Sequence, residues 1–322
     1  MNVLVTGGAG FIGSVTVDQL VAGGHEVVVL DDLSTGFRDA VNDDARFVHG
    51  DIADRSLVSS TIASHGISAC VHFAGRIAVG ESVAHPERYF DVNVVRSLSL
   101  MEALRVGGVR DVVFSSSAAV YGDPIEIPIP ETHRTAPTSP YGRTKLMFEG
   151  ILEDYGVAHG FRSVSLRYFN AAGGTDARSE RHDPETHLIP LVLDAAAGRR
   201  EAITVFGTDY PTPDGSAVRD YIHVVDLATA HIAALEYLAS GGPSERCNLG
   251  TSVGQSVLEV IEAARDATGR DIPVVLGDRR PGDPAVLVAD ASRAESVLGW
   301  KPTMSEDIRS IIASAWMSRR DG

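Results

Sequence analysis

Short apolar runs alternate along the N-terminal half of the chain with stretches in which apolar residues recur every three to four positions. The short runs predict strands, and the longer periodic stretches predict amphipathic helices. Strands are predicted at residues 3–5, 26–30, 47–48, 69–73, 112–115 and 163–166. Helices are predicted at residues 11–22 and 92–106, and each is followed by a glycine pair that suits a helix C-terminus. This alternation predicts a parallel sheet covered on both faces, hence a doubly wound α/β domain over residues 1–172.

The regular alternation ends after about residue 172. Residues 173–185 are rich in glycine, aspartate and arginine, and residues 210–215 form a turn-like cluster with two prolines. We therefore expect residues 173–322 to form a smaller α/β domain that covers the carboxyl edge of the sheet and binds substrate. An apolar helix near residues 225–238 is expected to pack back onto the first domain.

The net charge of the chain indicates which classes of binding partner its surface disfavours. Its formal net charge is −15 and its sequence pI is about 5.1, with 44% hydrophobic and 22% charged residues. This balance is ordinary for a globular protein but argues against a surface for nucleic acid or for an anionic membrane. A few arginines in one cleft could still bind an anionic ligand.

The cysteine content and the first residues of the chain indicate the cellular compartment of the protein. Cys70 and Cys247 lie in apolar surroundings far apart in sequence, so buried free thiols are favoured over a disulfide. No group of cysteines and histidines has metal-ligand spacing, so no metal is expected. The first strand begins at residue 3, and no apolar run reaches the length of a membrane span. We therefore expect a cytoplasmic protein.

A glycine-rich segment follows the first strand and opens the first helix. In it, Gly7 suits a tight turn, Gly10 allows backbone to approach a pyrophosphate, and Gly13 allows close helix packing. Asp31 ends the second strand eighteen residues after Gly13, where a carboxylate can bind the ribose hydroxyls and repel a 2′-phosphate. The segment therefore predicts a Rossmann-type site for NAD rather than NADP, in preference to a glycine turn without a ligand.

Asp51 and Ile52 follow the third predicted strand. In a nucleotide-binding fold, Asp51 could hold the adenine amino group while Ile52 covers the adenine ring. An aspartate at such a position is also a frequent helix cap. The sequence leaves both interpretations of Asp51 open.

A tyrosine and a lysine, Tyr141 and Lys145, are four residues apart and would share one helical face. A phenol has a pKa near 10, so it needs a depression of about three units, roughly 4 kcal/mol, to act as a base near pH 7. A neighbouring ammonium typically supplies one to three units, and a cationic nicotinamide would add more. Ser117 ends a predicted strand in a serine-rich turn at the ligand-binding edge of the sheet and could assist such a base. A chance surface pair is the alternative for Tyr141 and Lys145 taken alone.

Together these features resemble the extended short-chain dehydrogenase/reductase family and, within it, the UDP-glucose 4-epimerases, also called UDP-galactose 4-epimerases. The resemblance covers residues 3–302, and its most specific stretch is residues 205–223. It implies that NAD transiently oxidises C4 of UDP-glucose or UDP-galactose to a 4-keto sugar, in a homodimer joined through helices that include Tyr141. It also implies that Tyr141 is the catalytic base and acid, that Lys145 tunes it and binds the nicotinamide ribose, and that Ser117 assists.

The resemblance extends the cofactor site beyond the glycine-rich segment. The residues expected to contact NAD are Gly7, Gly10, Phe11, Ile12, Gly13, Asp31, Asp32, Asp51, Ile52, Phe73, Ala74, Gly75, Arg76, Asn93, Tyr141, Lys145 and Phe169. Two positions depart from the family pattern. Ile77 stands where a lysine often contacts the pyrophosphate, and we assign that role to Arg76. Similarly, His187 stands where an asparagine often contacts the substrate phosphate.

Arginines of the C-terminal half are candidates for the substrate diphosphate, because guanidinium groups match phosphate oxygens in pairs. Taken alone, Arg219 and Arg280 would be solvated surface charges, but their surroundings match the family. The residues expected to contact the UDP-sugar are Ser117, Tyr141, Asn170, His187, Leu188, Phe206, Arg219, Arg280, Asp283 and Leu287. The resemblance also implies that a tyrosine at the position of Leu287 narrows the sugar pocket, so the smaller leucine predicts a wider pocket.

Three other functions compete with this assignment. A nucleotide-sugar 4,6-dehydratase would carry an Asp-Glu pair after Ser117, where this chain has Ala118 and Ala119. A UDP-N-acetylhexosamine 4-epimerase differs only in the sugar pocket. A catalytically silent nucleotide-binding regulator would not need the tyrosine, lysine and serine together.

Overall fold

The computed structural model describes residues 1–280 and 283–319. Within these ranges the strands are β1 (Asn2–Thr6), β2 (Glu26–Asp31), β3 (Arg46–His49), β4 (Ala69–His72), β5 (Asp111–Ser117), β6 (Arg162–Tyr168), β7 (Asn170–Ala172), β8 (Ile203–Phe206), β9 (Val218–His223), β10 (Glu245–Leu249), β11 (Gly254–Ser256), β12 (Val274–Gly277) and β13 (Val286–Leu287). The α-helices are α1 (Phe11–Ala22), α2 (Arg55–His65), α3 (Val79–Ala84), α4 (Pro86–Phe90), α5 (Ser97–Val106), α6 (Pro140–His159), α7 (Leu188–Ala196), α8 (Val224–Ala239), α9 (Val257–Thr268), α10 (Ser292–Leu298) and α11 (Ile308–Ser318).

Seven strands form the main sheet in the order β3-β2-β1-β4-β5-β6-β10, and every neighbouring pair is parallel. The strand order reverses between β1 and β4, which is where doubly wound sheets bind dinucleotides. All six strands predicted in the N-terminal half are present, and their ends differ from the prediction by at most two residues. The predicted α/β class and doubly wound sheet are therefore confirmed.

Helices cover both faces of this sheet, as is usual for parallel sheets, whose strands are largely buried on both sides. On one face, α1 and α8 pack against it in a core that includes Val17, Leu20, Leu227 and Leu235. On the other face, α2, α5 and α6 pack against the sheet and form a second core. The helical residues in this core are Val58, Ile62, Leu100, Leu104, Phe148 and Leu152. The helix near residues 225–238 thus lies against the main sheet, although it comes from the C-terminal half.

The C-terminal half contributes two small sheets. The first joins β9 to β7, β11 and β13, and the second pairs β8 with β12. A third apolar core lies among α7, α9 and α11. Because β10 pairs with β6 in the main sheet, the two halves share a sheet. The division of the chain at residue 172 stays a prediction.

One predicted helix differs in its first turns. Residues 92–106 were expected to be one regular helix, but Asp91–Arg96 form a π-helical turn that continues into α5. Such turns are rare and frequently occur at functional sites. This one places Asn93, which is buried, at the end of β4.

Among the described residues, no helix combines the length and the apolar character that a membrane span requires. Both Cys70 and Cys247 are buried free thiols, which confirms the expectation for them.

Candidate functional site

The glycine-rich segment lies at the reversal point of the main sheet, between β1 and α1. Gly7 has a φ of +74°, and a Cβ added there would lie 2.5 Å from the backbone nitrogen of Ala74. A Cβ on Gly13 would lie 2.3 Å from the carbonyl oxygen of Gly7. Side chains at these two positions would fill the cradle, whereas glycines leave the first N–H groups of α1 accessible to a phosphate. The segment therefore fits the pyrophosphate of a dinucleotide.

Asp31 is the last residue of β2, and its carboxylate braces the glycine-rich segment. One oxygen accepts a hydrogen bond from the Ala9 nitrogen and the other from the Leu33 nitrogen, both at 2.9 Å. Burial raises the pKa of Asp31, and the backbone hydrogen bonds from Ala9 and Leu33 partly offset this increase. The carboxylate thus lies beside the cradle, where ribose hydroxyls would reach it; Asp32 is next to it and bonds the Ser34 nitrogen.

The structure removes one of the two interpretations of Asp51. The cap of α2 is Asp54, whose side chain accepts a hydrogen bond from the Leu57 nitrogen, so the helix-cap interpretation of Asp51 is wrong. Asp51 instead forms an ion pair with Arg96 of the π-helical turn. Ile52 is buried beside it. The adenine contact of both residues stays a prediction.

A segment from the C-terminal half, residues 173–187, which we call the strap, crosses over the glycine-rich segment. Arg178 forms a two-pronged ion pair with Asp18 of α1, and Arg181 forms one with Asp39. A cavity of about 190 Å³ lies between the strap and the cradle. Its walls are formed by Ala9, Gly10, Phe11, Ser14, Thr35, Phe37, Asp39, Ala40, Ala177, Arg178, Ser179, Arg181 and His182.

The residues after β4 are held by the π-helical turn. The Asn93 side chain accepts a hydrogen bond from the Arg76 nitrogen at 2.8 Å and donates one to the Arg76 oxygen at 3.0 Å. A Cβ on Gly75 would lie 3.0 Å from Asn93 Oδ1, so this stretch of backbone passes close to Asn93. The Arg76 guanidinium pairs with Glu81 at 3.3 Å. Its role at the pyrophosphate therefore stays a prediction, as does that of the neighbouring Phe73 and Ala74.

Tyr141 is the second residue of α6, and α6 begins there because Ser139 caps it and Pro140 suits its first turn. Lys145, one turn later, donates a hydrogen bond to the Ser115 oxygen at 2.8 Å, and its Nζ lies 5.8 Å from the centre of the Tyr141 ring. Ser117, at the end of β5, faces the Tyr141 hydroxyl. The structure therefore brings the three predicted catalytic residues together, and both Tyr141 and Lys145 are buried.

The electrostatics of this group differ from the sequence-based expectation. Burial raises the pKa of Tyr141, and a hydrogen bond with Ser117 only partly offsets the increase. Burial also lowers the pKa of Lys145 to about 8, so its charge is weakly held near neutral pH. The prediction that Lys145 lowers the pKa of Tyr141 is therefore wrong for the protein without a bound cofactor. A cationic nicotinamide beside the ring is the remaining source of such a lowering.

The predicted diphosphate ligands lie along β9 and the segment before β13. Arg219 donates to its own chain at the Val218 oxygen, at 2.8 Å, and forms an ion pair with Asp283. Arg280 stacks on the Phe206 ring, with its guanidinium carbon 3.9 Å from the ring centre. The structure thus brings these four predicted residues into two pairs, and their contacts with a nucleotide stay predictions.

His187 immediately precedes α7, and two carboxylates hold its ring. Its Nδ1 lies 2.9 Å from Glu180 Oε1 and 2.8 Å from Glu185 Oε1. Burial alone would lower the pKa of His187, but its hydrogen bonds with Glu180 and Glu185 raise it to about 10. His187 therefore offers a hydrogen-bond donor at a helix N-terminus, two features that favour an anion. The next residue, Leu188, packs against the third core.

The remaining predicted residues lie where the two halves meet. Asn170, in β7, donates to the Asp220 oxygen at 3.0 Å. Leu287 packs beside Phe169 and Leu146 against a small cluster at the end of β5, formed by Ala118, Val120, Tyr121 and Ile129. Leu287 therefore lies at the boundary between the halves, close to the helix that carries Tyr141.

Several residues at the site were missed from the sequence. Thr144, inside the Tyr141–Lys145 stretch, accepts a hydrogen bond from Asn93 at 3.1 Å, and its position between two predicted residues was a usable signal. Glu180, His182 and Glu185 surround His187, and their closeness in sequence to His187 was a usable signal, although no cysteine–histidine group with metal spacing is present there. Arg178 and Arg181 gave no signal, because their partners are more than 130 residues away.

A parallel sheet with a glycine cradle at its reversal point defines a class of dinucleotide-binding proteins. Residues 3–250 match the model of the NAD dependent epimerase/dehydratase family. The UDP-glucose 4-epimerase of Lacticaseibacillus casei is 49% identical over 318 residues, which are 98% of this chain and 96% of the relative.

Solved structures give the same result. The UDP-glucose 4-epimerase of Brucella ovis in complex with NAD has 47% identity and a TM-score of 0.95, with 98% of both chains covered. The UDP-Glc/GlcNAc 4-epimerase of Campylobacter jejuni has 39% identity and a TM-score of 0.89, covering 100% of this chain and 99% of the other. The chain therefore belongs to the NAD dependent epimerase/dehydratase family, among the UDP-glucose 4-epimerases.

Proposed function

We propose that the protein interconverts UDP-glucose and UDP-galactose by inverting the configuration at C4, with NAD as its cofactor. The observation that carries this proposal is the convergence of Tyr141, Lys145 and Ser117 beside the glycine cradle of the main sheet. The names of the relatives, including one crystallised with NAD, support the same reaction and cofactor.

Tyr141 is the residue that moves the proton in this mechanism. Its phenolate oxygen takes the proton from the 4-hydroxyl when C4 is oxidised and returns it to the same oxygen when C4 is reduced, so the whole reaction neither gains nor loses a proton. Ser117 donates a hydrogen bond to the same sugar oxygen and keeps it aligned with the tyrosine. Lys145 is held by the Ser115 oxygen at 2.8 Å, so its ammonium stays close to the phenol and to the ribose.

The glycine cradle, Asp31 and Asn93 would hold NAD in this site. When bound, NAD supplies the hydride acceptor that makes oxidation at C4 reversible. Burial of Tyr141 and Lys145 excludes water from the reacting atoms and protects the 4-keto sugar. The sugar would then turn about its diphosphate so that the opposite face of C4 meets the cofactor site when it is reduced, and Tyr141 would return the proton to the C4 oxygen.

The diphosphate has to stay bound while the sugar turns. Arg219 and Arg280 supply the cationic groups for this task, His187 donates a hydrogen bond to the phosphate, and Phe206 provides an apolar face for the uracil ring. Asp283, released from Arg219, would accept the ribose hydroxyls. The roles of these residues are part of the proposal.

The test is incubation of the purified protein with UDP-galactose and no added cofactor, followed by separation of the sugars. We expect UDP-glucose to accumulate until the two sugars reach equilibrium. If no UDP-glucose forms, even after NAD is added, the proposed reaction is wrong.

A second activity, 4-epimerisation of UDP-N-acetylglucosamine, is favoured by one observation. Leu287 borders the boundary between the halves, and leucine is smaller than tyrosine, so the pocket has extra room beside the sugar. The C. jejuni relative is named for both sugars. In contrast, the alanines at 118 and 119 offer no acid or base for a 4,6-dehydratase.

We also propose that the protein forms a homodimer in the cytoplasm. Val95, Leu98 and Met147 are exposed apolar side chains on the neighbouring helical segments around α5 and α6, a surface suited to a second copy. The two free thiols suit a reducing compartment. Light scattering should give twice the mass of the 34.1 kDa chain, and a monomeric Met147→Glu variant would support this surface.

A further inference from the structure

Two histidines and two glutamates of the strap converge on one point. Glu180, His182, Glu185 and His187 each offer one ligand atom, and these atoms all lie within 4.8 Å of one another. We call these four residues the strap cluster. They are supplied by eight consecutive positions, because the chain turns back on itself before α7 begins.

The distances in the strap cluster are close to those between ligands of a single cation. Glu180 Oε1 lies 3.0 Å from His182 Nδ1 and 2.9 Å from His187 Nδ1, and Glu185 Oε1 lies 2.8 Å from His187 Nδ1. Ligand atoms bonded to one zinc ion at about 2.0–2.2 Å lie about 3.3 Å apart in a tetrahedron. To admit a metal, these three close pairs would need to separate slightly, while the other ligand atoms, all within 4.8 Å of one another, would adjust around it.

An independent observation concerns the carboxylate of Glu185. Its Oε1 already accepts hydrogen bonds from the Thr186 and His187 nitrogens, whereas its Oε2 is buried and has no partner among the described residues. Glu180 is also buried, with 8% of its surface exposed. Buried carboxylates are normally paired fully or bind metals. Glu185 is therefore short of one partner, which a cation would supply.

We propose that the strap cluster binds a divalent transition-metal cation, of which Zn²⁺ is the chemically best match. Two imidazole nitrogens and two carboxylate oxygens form a set that suits zinc or cobalt, whereas magnesium and calcium prefer oxygen ligands alone. Two carboxylates also balance the charge of such a cation.

The proposed metal would orient a residue of the substrate site. A metal on Nδ1 of His187 leaves Nε2 protonated, so this nitrogen is fixed as a donor. The His187 side chain is 43% exposed, so its outer edge can reach a ligand while its inner edge binds the metal. The cation would also fix the shape of the strap, whose other end is tied to the glycine-rich half by Arg178 and Arg181.

Cobalt binding by the full-length protein, produced without a polyhistidine tag, tests this proposal. The protein is treated with a chelator, loaded with Co²⁺ and freed of excess metal, and its cobalt content and visible absorption are measured. His182→Ala and Glu185→Gln each remove one ligand, and His159→Ala is the matched control, since His159 is exposed on α6.

We expect about one cobalt per chain, with visible absorption of a four-coordinate ion, in the wild type and in His159→Ala. Cobalt retention should fall at least tenfold in His182→Ala and in Glu185→Gln, and Zn²⁺ should displace the cobalt and its absorption. If the wild type retains no cobalt, or if both ligand variants retain as much as the wild type, the strap cluster is an ion-paired network and the proposal is wrong. Circular dichroism establishes that each variant is folded, and cobalt retention measured in either folded ligand variant is enough to decide the test.

Discussion

The cofactor side and the substrate side of the site are built in different ways. On the cofactor side, backbone shape dominates: Gly7 and Gly13 leave room that a single Cβ would fill, and Asp31 braces the loop between them. On the substrate side, charged side chains dominate, and each is already engaged: Arg219 with Asp283, and His187 with two glutamates. If the proposed contacts are right, cofactor binding uses a preformed cradle, whereas substrate binding exchanges one set of ion pairs for another.

This difference has an energetic consequence. A preformed cradle loses little conformational entropy when its ligand binds, so the affinity for NAD can be high and the complex long-lived. An arginine that leaves a carboxylate for a phosphate gains only the difference between two charge-assisted contacts. The substrate side is therefore suited to weaker, reversible binding, which an enzyme that releases its product needs.

The largest effect is expected where the two sides meet, at Tyr141. Tyr141→Phe removes only the phenol oxygen, and we expect kcat to fall at least a hundredfold, because proton transfer commonly contributes 10²–10⁴-fold. UDP binding and NAD content should stay unchanged, which a calorimetric titration and nucleotide release would establish. Tyr155→Phe, on the same helix but bonded to Glu102, is the control. Wild-type turnover in Tyr141→Phe would remove this residue from the mechanism.

The next largest effect concerns Lys145, because burying its charged ammonium group lowers the free energy of unfolding. Burial lowers the pKa of Lys145 from 10.5 to about 8, which corresponds to roughly 3 kcal/mol at pH 7. The unfolded chain binds this proton more tightly, so the free energy of unfolding rises as pH rises from 8 to 10.5. We therefore expect Lys145→Met to be inactive yet more stable at pH 7, with an advantage that disappears towards pH 10.5.

Urea unfolding across this pH range measures the advantage. The nucleotide is removed first, so that bound NAD does not stabilise the wild type. Lys301→Met is the control, since that lysine is exposed and paired with Glu295 at 2.6 Å. If the difference in unfolding free energy between Lys145→Met and the wild type stays constant with pH, the pKa of Lys145 is not lowered by burial.

On the cofactor side, Gly13→Ala should lower the NAD content of the purified protein at least tenfold. The added Cβ would lie 2.3 Å from the Gly7 oxygen, so the cradle must open. Gly150→Ala is the control, because a Cβ there meets nothing within 4 Å. Nucleotide released on denaturation, counted per chain, is the measurement. If NAD content is unchanged in Gly13→Ala, the cradle is not what retains the cofactor.

On the substrate side, Arg219→Ala should raise KM for UDP-galactose about tenfold while NAD content stays at the wild-type level. A charged hydrogen bond contributes about 1.5–3 kcal/mol, but Asp283 loses its partner as well, which offsets part of the loss. Arg309→Ala removes an exposed arginine paired with Asp266 and serves as the control. A lower NAD content in Arg219→Ala would contradict the separation of the two sides.

The smallest effect is expected at Leu287. We expect UDP-N-acetylglucosamine to be epimerised with a kcat/KM several-fold below that of UDP-glucose, because the acetamido group fits but lacks an assured polar partner. Leu287→Ser should narrow this gap. Absence of turnover of the N-acetylated sugar in both proteins would show that Leu287 only packs against its cluster.

The same contrast explains what the sequence could predict. The main sheet and the glycine cradle follow from local patterns: strand periodicity, glycine positions, and an aspartate at a fixed distance from them. The pairing of Arg219 with Asp283 joins residues 64 positions apart, and that of Arg178 with Asp18 joins residues 160 apart. Such contacts depend on the tertiary structure and leave no local pattern.

Two further differences have the same cause. The π-helical turn at Asp91–Arg96 looks like an ordinary helix in the apolar pattern, because only the backbone hydrogen bonds distinguish it. The raised pKa of Tyr141 arises from burial, which the spacing of Tyr141 and Lys145 does not encode. Residue spacing predicted which groups meet and left their electrostatic environment undetermined.

Strand β10 has a consequence for synthesis of the protein. It forms the edge of the main sheet and pairs with β6, although it comes about 80 residues later in the chain. While the nascent chain emerges from the ribosome, β6 is complete long before its neighbour exists, and its free edge can pair with another chain. The partner strand then has to close a long loop, which slows folding. Messages truncated after residue 172 should therefore yield aggregates in cells, and chaperones should contact the nascent chain until residue 249 has emerged.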